Sequence, residues 1–454
     1  MNDIKLTDDQ VNAINVLRSG ANCYVVGDAG TGKSFIIDKY VEEQKSMNKN
    51  VVVTAPTAVA SSLINGITFH RAFSYPAQVL VPQSDYVMKI TNVLKKADIV
   101  VIDEISMLRR DAFDIFATQV QIVNNERRAS FINPNSMKEK KSPIQIILVG
   151  DFRQLPPIIQ HNEKSVLEKW IPDIGAGYIF KSPLWNTLNL KKVMMTQVIR
   201  QKDKVFVDGL TKLRDSDYSA IDFFNNNLNN TWDGNTLVLC GTKKEVQYIN
   251  SIHLEKLNGK EKTFYENVLP FGYEVRENDR HNDAEVLLKE GARVLCLAND
   301  KDEKYLNGQQ GVITKIKSNG VEVLFDGKKE PVLVESYTWN ILNYEIKGED
   351  TLCTKVAATI TQIPLMLAYA MTVHKSQGQT FDKVAIKPDK FFAPGQLYVA
   401  LSRCSNMEGI QLVSKIPIVQ TITREYNGRV WTKDFYFKLT DPEVIDFYNN
   451  LDRS

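Results

Sequence analysis

The stretch GDAGTGKS, residues 27–34, decides the fold of the first part of this chain. A predicted strand at 22–26 precedes it, and FIIDKYVEEQ follows with apolar residues at helical spacing. Strand, glycine loop and helix in this order are the context of the phosphate-binding pattern GxxxxGK[ST], whose backbone N–H groups converge on phosphate oxygens. The pattern predicts a nucleotide site in which Lys33 bridges the outer phosphates and Ser34 ligates Mg²⁺. The other loop residues expected around the nucleotide are Gly27, Ala29, Gly30, Thr31 and Gly32.

A second apolar run, ADIVVIDE at 97–104, ends in two carboxylates. Four consecutive apolar residues are typical of a strand buried on both faces of a parallel sheet. Asp103 is placed to hold Mg²⁺ through water, and Glu104 to orient and deprotonate an attacking water. A second acid directly after the first favours hydrolysis over phosphate transfer. The alternative is a pair of carboxylates that are simply solvated at the end of a strand.

A third apolar run, IQIILVG at 144–150, is followed by DFRQLPP. Gln154 lies just past this strand end, where ligand-facing groups collect in an α/β sheet. Its neutral amide suits a sensor of the γ-phosphate. Together with VVVTAPTAVA at 51–60, these runs give at least four strands that alternate with helical stretches. The predicted fold class is therefore α/β, with a doubly wound parallel sheet.

Bulk composition limits the other possibilities. The chain has 454 residues, more than one hydrophobic core usually organises, so about three domains are expected. Its 56 Lys and Arg against 54 Asp and Glu give no global attraction to nucleic acid. The five cysteines and five histidines are scattered, which argues against disulfides and predicts no transition metal. No stretch resembles a signal peptide or membrane span, so we expect no membrane partner and a cytoplasmic protein of a bacterial or phage-infected cell.

Further motifs follow these in a fixed order. They are FKSPLW (180–185), TQVIRQ (196–201), LCGTKKEVQYIN (239–250), NGQQGVI (307–313), TVHKSQGQT (372–380) and LYVALSRCSNMEG (397–409). With the nucleotide motifs, the set resembles the Pif family of superfamily 1 DNA helicases, which is related to RecD and the phage protein Dda. The resemblance covers roughly residues 6–410.

The resemblance implies two tandem RecA-like domains with ATP in the cleft between them. It also implies 5′-to-3′ translocation on single-stranded DNA and unwinding of duplex or forked DNA, with quadruplex DNA as a further candidate, by a protein that works as a monomer. A small insertion at about 76–96 would act as the wedge that splits the duplex. The expected domains are 1–195 for the first RecA-like domain, 196–260 with 346–454 for the second, and 261–345 for an SH3-like β-barrel insertion.

The resemblance also assigns residues at the nucleotide. Gln10 falls on the position that contacts the adenine, although a solvated helix residue is the alternative. Arg403 matches the arginine finger, and Arg200 matches a second contact to the terminal phosphate. Arginine suits both positions because its planar, permanently charged group binds phosphate oxygens at two points. Either arginine could instead form a surface ion pair.

Predicted DNA contacts lie in three polar segments. In HKSQGQT, which follows an apolar run, Gln377 and Gly378 are assigned to the nucleotide side, and the residues assigned to DNA phosphates are His374, Lys375 and Ser376. A polar loop that binds no ligand is the alternative. In the first domain the candidates are Pro56, Thr57 and His70, with Phe73 either as a stacking face or as core. Thr242 and Lys243 look equivalent to Thr57 by their position after a strand.

Other parts of the sequence are less informative. Residues 124–143 are polar with a basic end, so we expect a mobile loop with solvated charges there, and contact with DNA is the alternative. Short strand-like runs between 286 and 345 favour the β insertion, in which Tyr337 and Trp339 would brace DNA or, more simply, form core. Three rival functions remain open: a P-loop ATPase that acts on proteins, a passive single-strand-binding module, and a motor that follows RNA.

Overall fold

The computed structural model describes residues 6–76, 78–81, 87–132, 140–201, 203–348, 351–426 and 429–451. The chain forms two compact units. The first unit consists of residues 1–200 and 342–356, and the second of residues 201–341 and 357–454. This partition follows packing, and the three predicted domains with their boundaries stay a prediction.

The first unit is built on a six-stranded sheet. Its elements are α1 (Asp8–Arg18), β1 (Cys23–Gly27), α2 (Lys33–Ser46), β2 (Val51–Ala55), α3 (Ala58–Leu63), β3 (Ile67–Thr68), α4 (Phe69–Ala72), α5 (Asn92–Lys96), β4 (Ile99–Ile102), α6 (Arg110–Ile132), β5 (Gln145–Val149), α7 (His161–Trp170) and β6 (Lys191–Met195). The strand order is β3-β2-β4-β5-β1-β6, and every neighbouring pair is parallel. The predicted parallel sheet is thus confirmed, and its apolar runs are its buried central strands.

The register of this sheet brings the predicted nucleotide motifs to one edge. Val25 of β1 lies opposite Val149 of β5, and Ile102 of β4 lies opposite Leu148. Because parallel strands end on the same side, the glycine loop, the acidic pair after β4 and the polar turn after β5 emerge together. The fold therefore assembles one site from three segments that are far apart in sequence.

The prediction of a mobile loop at 124–143 is wrong in its first half. Helix α6 continues to Ile132, and residues 133–139 lie outside the described residues. Arg127 explains the extension, because its buried guanidinium donates to the carbonyl oxygens of Lys95, Ala97 and Ser142. The polar segment up to Ile132 is therefore helical, and the buried guanidinium of Arg127 fixes it to the neighbouring segments. Residues 77 and 82–86, within the predicted wedge insertion, also lie outside the described residues.

The second unit contains a smaller parallel sheet and an antiparallel insertion. Its elements are α8 (Lys204–Arg214), α9 (Ser219–Asn227), β7 (Val238–Cys240), α10 (Lys243–Glu255), β8 (Glu261–Tyr265), β9 (Asn267–Pro270), β10 (Glu285–Lys289), β11 (Arg293–Cys296), β12 (Gln310–Ile316), β13 (Gly320–Phe325), β14 (Val332–Glu335), β15 (Tyr337–Lys347), β16 (Thr351–Gln362), β17 (Leu365–Leu367), β18 (Ala370–Thr372), β19 (Val384–Lys387), α11 (Gln396–Leu401), β20 (Ile410–Leu412), β21 (Val419–Tyr426), β22 (Arg429–Tyr436) and α12 (Pro442–Leu451). The order β18-β7-β19-β20 is parallel throughout.

The insertion is antiparallel. Its largest sheet has the order β14-β13-β12-β11-β17 and packs around its own apolar core. Trp339 is buried and packs against Tyr337 and His281, which favours the core alternative for this tryptophan. The tip of the β15–β16 hairpin belongs to the first unit, where the Tyr344 hydroxyl accepts from the Val53 N–H at 2.8 Å. Among the described residues, no helix has the length and apolar character needed to cross a membrane.

Candidate functional site

The glycine loop is closely packed against α1. Gly32, the N-cap residue directly before α2, lies in the left-handed region with φ +83°, and a Cβ atom there would lie 2.6 Å from Gln10 Nε2. The Gln10 amide donates weakly to the Thr31 carbonyl at 3.5 Å, and its side chain is buried. Glycine at 32 therefore lets Gln10 approach the loop, and the alternative of a solvated Gln10 does not describe this structure.

Lys33 lies at the centre of a group of charges. Its Nζ donates to the carbonyl oxygens of Gly27 and Asp28 at 2.7 and 2.9 Å, so the ammonium is held inside the loop. Burial lowers the pKa of Lys33, while neighbouring carboxylates oppose that effect and a nearby cation adds to it. The carboxylates are those of Asp151, Glu104 and Asp103, and the cation is Arg200.

Asp103 and Ser34 form an oxygen-rich pair that fits Mg²⁺. The Ser34 hydroxyl donates to Asp103 Oδ2 at 3.3 Å, and the Glu104 N–H donates to Asp103 Oδ1 at 2.8 Å. Burial, and then the charge of Glu104, raise the pKa of Asp103, so this site favours a compensating cation. One or two oxygen ligands with the rest supplied by water and phosphate is how proteins usually bind Mg²⁺. The described residues contain no cluster of three or more His, Cys, Asp or Glu side chains that could hold a metal.

Glu104 occupies an unusual backbone conformation. Its φ of +50° lies in the left-handed region, which is uncommon for a residue with a side chain and frequent at functional sites. The neighbouring strand end comes very close, since a Cβ atom on Gly150 would lie 3.0 Å from Ile105 N. The turn that carries Gln154, which is buried, thus packs beside the acidic pair.

Arg200 is attached to the glycine loop through its backbone. The N–H groups of Ile199 and Arg200 donate to the Gly30 carbonyl at 2.9 and 3.2 Å. The Arg200 charge also acts on the Lys33 ammonium. The structure therefore places Arg200 beside the glycine loop within the first unit, whereas the predicted boundary assigns residue 200 to the second domain, and its contact to the terminal phosphate stays a prediction.

Arg403, in the second unit, is buried rather than on the surface. Its Nε donates to the Val399 carbonyl at 2.9 Å, and Nη2 donates to the Ser402 hydroxyl at 3.1 Å. Gln201, which sequence analysis missed, holds the backbone on both sides of this arginine by donating to the carbonyls of Ser402 and Cys404 at 3.1 and 3.2 Å. Its place as the last residue of TQVIRQ was the available signal.

Two threonines occupy equivalent places at the ends of β2 and β7. Thr57 caps α3 by accepting from the Ala60 N–H at 3.2 Å, and Thr242 caps α10 by accepting from the Glu245 N–H at 3.3 Å. The next residue along, Lys243, is highly exposed. Pro56, before Thr57, is half-buried. The predicted equivalence of Thr57 and Thr242 thus extends to their capping role.

The segment HKSQGQT follows β18 as a series of turns. Burial lowers the pKa of both His374 and Lys375, and for Lys375 the charge of Asp283 opposes this effect while that of Lys243 adds to it. Ser376 is fully buried, and its hydroxyl donates to the Val373 carbonyl at 2.7 Å, so a DNA contact through this hydroxyl would have to open that bond. Of the two residues assigned to the nucleotide, Gln377 is buried and Gly378 exposed.

The aromatic candidates divide into core and surface. Phe73 is 1% exposed and packs against Phe69, Tyr75 and Phe116, so the core alternative holds and no stacking face is presented there. His70, half-buried, meets Phe69 edge-on.

Phe392, which sequence analysis missed, is 65% exposed. Its ring stacks on that of His374, with 6.2 Å between the ring centroids. Its N–H donates to Gln396 Oε1 at 2.9 Å, and the Gln396 amide donates to the Gly241 carbonyl at 3.4 Å. These bonds join the aromatic loop to the start of α10. The exposure of Phe392 could not be predicted from the sequence, because residue type alone does not distinguish an exposed phenylalanine from a buried one.

Comparisons with known proteins agree with this arrangement. Residues 5–240 match the model of the PIF1-like helicase family. The ATP-dependent DNA helicase Pif1 of Campylobacter jejuni is 29% identical, over 94% of each chain. The structure of Bacteroides sp Pif1 in complex with ADP-AlF4 superposes with a TM-score of 0.78 at 26% identity, over 99% of this chain and 98% of that one. Pif1 helicase from Bacteroides in complex with ADP-AlF3 and ssDNA gives a TM-score of 0.64 at 27% identity, over 100% and 98%.

These similarities extend across both parallel sheets, which confirms the two RecA-like domains expected from the motifs. The SH3-like character of the antiparallel insertion stays a prediction. The chain belongs to the PIF1-like helicase family of ATP-dependent DNA helicases.

Proposed function

We propose that this protein is an ATP-driven motor that moves 5′-to-3′ along single-stranded DNA and separates duplex or forked DNA. The observation that carries the proposal is the nucleotide edge of the first unit, where the glycine loop, the Ser34–Asp103 contact, Glu104 and the Arg200 backbone lie together. The relatives from Campylobacter jejuni and Bdellovibrio bacteriovorus are ATP-dependent DNA helicases, which supports DNA as the substrate. A function as a monomer in the cytoplasm and activity on quadruplex DNA are parts of the same proposal.

At the nucleotide edge, this chain's residues bind phosphate and activate water. The backbone N–H groups of residues 29–34 and the Lys33 ammonium bind the phosphates. Ser34 and Asp103 would hold Mg²⁺, which neutralises phosphate charge when bound. Glu104 accepts the proton of the attacking water.

Polar groups around the terminal phosphate complete the proposed site. Gln154 donates its amide N–H to this phosphate, and Arg200 stabilises the charge that develops on it. Gln377 and Gly378 stay proposed nucleotide contacts, as does Gln10 for the adenine, and Arg403 is the proposed arginine finger. The buried, hydrogen-bonded guanidinium of Arg403 supports a fixed orientation for that role.

Most of the residues proposed to contact DNA have uncharged side chains. Pro56, Thr57 and His70 in the first unit, with Thr242 and His374 in the second, offer hydroxyl, ring and backbone groups that position a phosphate backbone without recognising sequence. Lys243 and Lys375 add positive charge, and Phe392 adds a stacking face. Few cations give a shallow salt dependence, which suits a motor that releases DNA in every cycle.

Measuring ATP turnover with and without a single-stranded oligothymidylate tests the proposal. Strong stimulation by the oligonucleotide is expected, because DNA binding must be coupled to hydrolysis in a translocating motor. Turnover that ignores the oligonucleotide would contradict the proposal and favour an ATPase that acts on proteins. An oligouridylate of the same length is the matched comparison, and equal stimulation by it would contradict the DNA track.

A further inference from the structure

We propose that Asp9 is a positioning residue for ATP hydrolysis, which acts by holding residues 196–200 so that Arg200 faces the bound phosphates. The inference rests on the proposed function of Arg200 and adds a residue that its motif does not contain. Asp9 lies on α1, 187 positions before the segment that it holds.

One carboxylate oxygen of Asp9 makes all three contacts. Asp9 Oδ2 accepts from the Thr196 N–H at 2.8 Å, from the Thr196 hydroxyl at 2.8 Å and from the Gln197 N–H at 3.1 Å. The Thr196 N–H leads the donors that hold the pKa of Asp9 below its ordinary value, so the ionised carboxylate is the form that the fold selects. Hydrogen bonds to an ionised acceptor are stronger than neutral ones.

The place of these contacts explains why an acceptor is needed. Strand β6 pairs with β1 up to the Gly27–Met195 register position, and Thr196 is the next residue. At that point the backbone leaves the sheet, and its N–H groups no longer have a strand partner. Asp9 accepts from the first two of them, and the Gly30 carbonyl accepts from Ile199 and Arg200.

Residues 196–200 are therefore attached at two points. One attachment is to α1, and the other is to the glycine loop itself. Without the Asp9 contacts, the Gly30 carbonyl would still hold the end of residues 196–200. The start of this segment would no longer be fixed, so its path from β6 to the glycine loop could change. The Arg200 side chain would then sample positions away from the phosphates, and small displacements of a catalytic group lower rates strongly.

Asp9 also links two ends of the nucleotide site. The adjacent residue, Gln10, lies on the same turn of α1 as Asp9 and is buried against Gly32 of the glycine loop. The helix that would contact the base therefore also sets the segment that carries Arg200. A nucleotide that displaces α1 would disturb hydrolysis through Asp9.

The test compares Asp9→Ala and Arg200→Ala, singly and combined, by steady-state ATP turnover with saturating oligothymidylate. Asp9→Ala should lower kcat by about tenfold to hundredfold and change the KM for ATP by less than about threefold. Because Asp9 acts through Arg200, the double variant should be no slower than Arg200→Ala within about twofold. Asp8→Ala is the matched control, since Asp8 lies in the same helical turn, is exposed and should leave kcat unchanged.

Two milder variants keep the test decisive if Asp9→Ala is unstable. Asp9→Asn keeps an acceptor and should recover much of kcat, and Thr196→Val removes only one donor and should cost about threefold. Normal kcat in Asp9→Ala, or losses that multiply in the double variant, would overturn the inference while leaving the ATPase itself intact. A wild-type protein without ATP turnover, or an Arg200→Ala variant with normal turnover, would instead overturn the proposed function.

Discussion

The two parallel sheets of this chain present very different chemistry at the same structural position. The first unit places Lys33, Asp103 and Glu104 at the carboxyl ends of its strands, so charge is concentrated there. The second unit places a helix-capping threonine, a histidine with a lowered pKa and an exposed phenylalanine at the corresponding ends, where Lys243 and Lys375 are the neighbouring cations.

Under the proposed function, this difference separates the residues that act on ATP from the residues that bind DNA. Opposite charges gathered in a partly buried site act more strongly on a bound phosphate than the same charges do in water. Neutral donors and an aromatic face bind a polymer weakly at each point and release it readily. Under the proposed function, one architecture serves two tasks, and substitutions in the two units should fail in different ways.

The largest effect is expected from Lys33→Ala in the first unit. Without the ammonium, the phosphates lose a fixed positive charge, so ATP turnover should fall by about hundredfold to thousandfold and strand separation should disappear. Lys39→Ala is the matched control, because Lys39 is an exposed lysine on the same helix. Turnover can be measured by phosphate release. Near-normal turnover in Lys33→Ala would contradict the claim that the charges at the strand ends of the first unit act on bound phosphate.

Glu104→Gln should separate binding from hydrolysis within the first unit. The amide cannot accept a proton from water, so kcat should fall by about hundredfold to ten-thousandfold, while the protein still binds ATP. A fluorescent ATP analogue measures binding beside the turnover assay. Glu42→Gln, on an exposed part of α2, is the control for loss of a carboxylate. Equal loss of binding and turnover would argue that Glu104 shapes the site instead of activating water.

The sequence predicted the first unit better than the second for a physical reason. A glycine loop and a buried strand that ends in carboxylates are local patterns, because neighbouring residues supply both the backbone shape and the chemistry. Lys33, Ser34 and Asp103 therefore lie together in the fold as their motifs predicted. The parallel sheet followed from the same runs of apolar residues.

Residues whose roles depend on distant contacts could not be predicted in this way. Phe73 and Phe392 are the same residue type beside predicted DNA segments, yet one is 1% exposed and the other 65%. Gln201 acts on Ser402 and Cys404, and Arg127 fixes α6 through carbonyls from two other segments. Exposure and hydrogen-bond partners of this kind are decided by tertiary packing, which periodicity does not encode.

Phe392→Ala tests the neutral half of the comparison. Loss of the ring should weaken binding of oligothymidylate by about tenfold, as expected for one stacked base, and Phe392→Trp should restore it. Phe271→Ala, at another exposed phenylalanine of the second unit, is the control. Fluorescence anisotropy measures the affinity.

An oligonucleotide that lacks bases sharpens the same test. Its phosphates are unchanged, so it should bind wild type and Phe392→Ala almost equally if the ring contacts a base. A tenfold difference that persists on this ligand would mean that the ring supports the loop and does not stack on DNA.

The smallest expected effect concerns His374 and the pH dependence of stability. Burial lowers the pKa of this ring below its ordinary 6.5, so the folded chain resists protonation there while the unfolded chain accepts the proton at 6.5. The folded state therefore binds fewer protons below 6.5, and the free energy of unfolding should decrease as the pH falls below that value. His374→Gln removes this dependence, so its stability should approach that of wild type as the solution is acidified.

Denaturant unfolding of both proteins at pH values above and below 6.5 measures the difference. A constant difference across this range would mean that His374 titrates equally in the folded and unfolded chains. The ring beside Phe392 would then carry a positive charge in mild acid as readily as a solvated histidine does. In that case His374 would add a third positive charge to those of Lys243 and Lys375 in mild acid, and the mainly neutral contacts proposed for DNA would no longer distinguish these strand ends from the charged edge of the first unit.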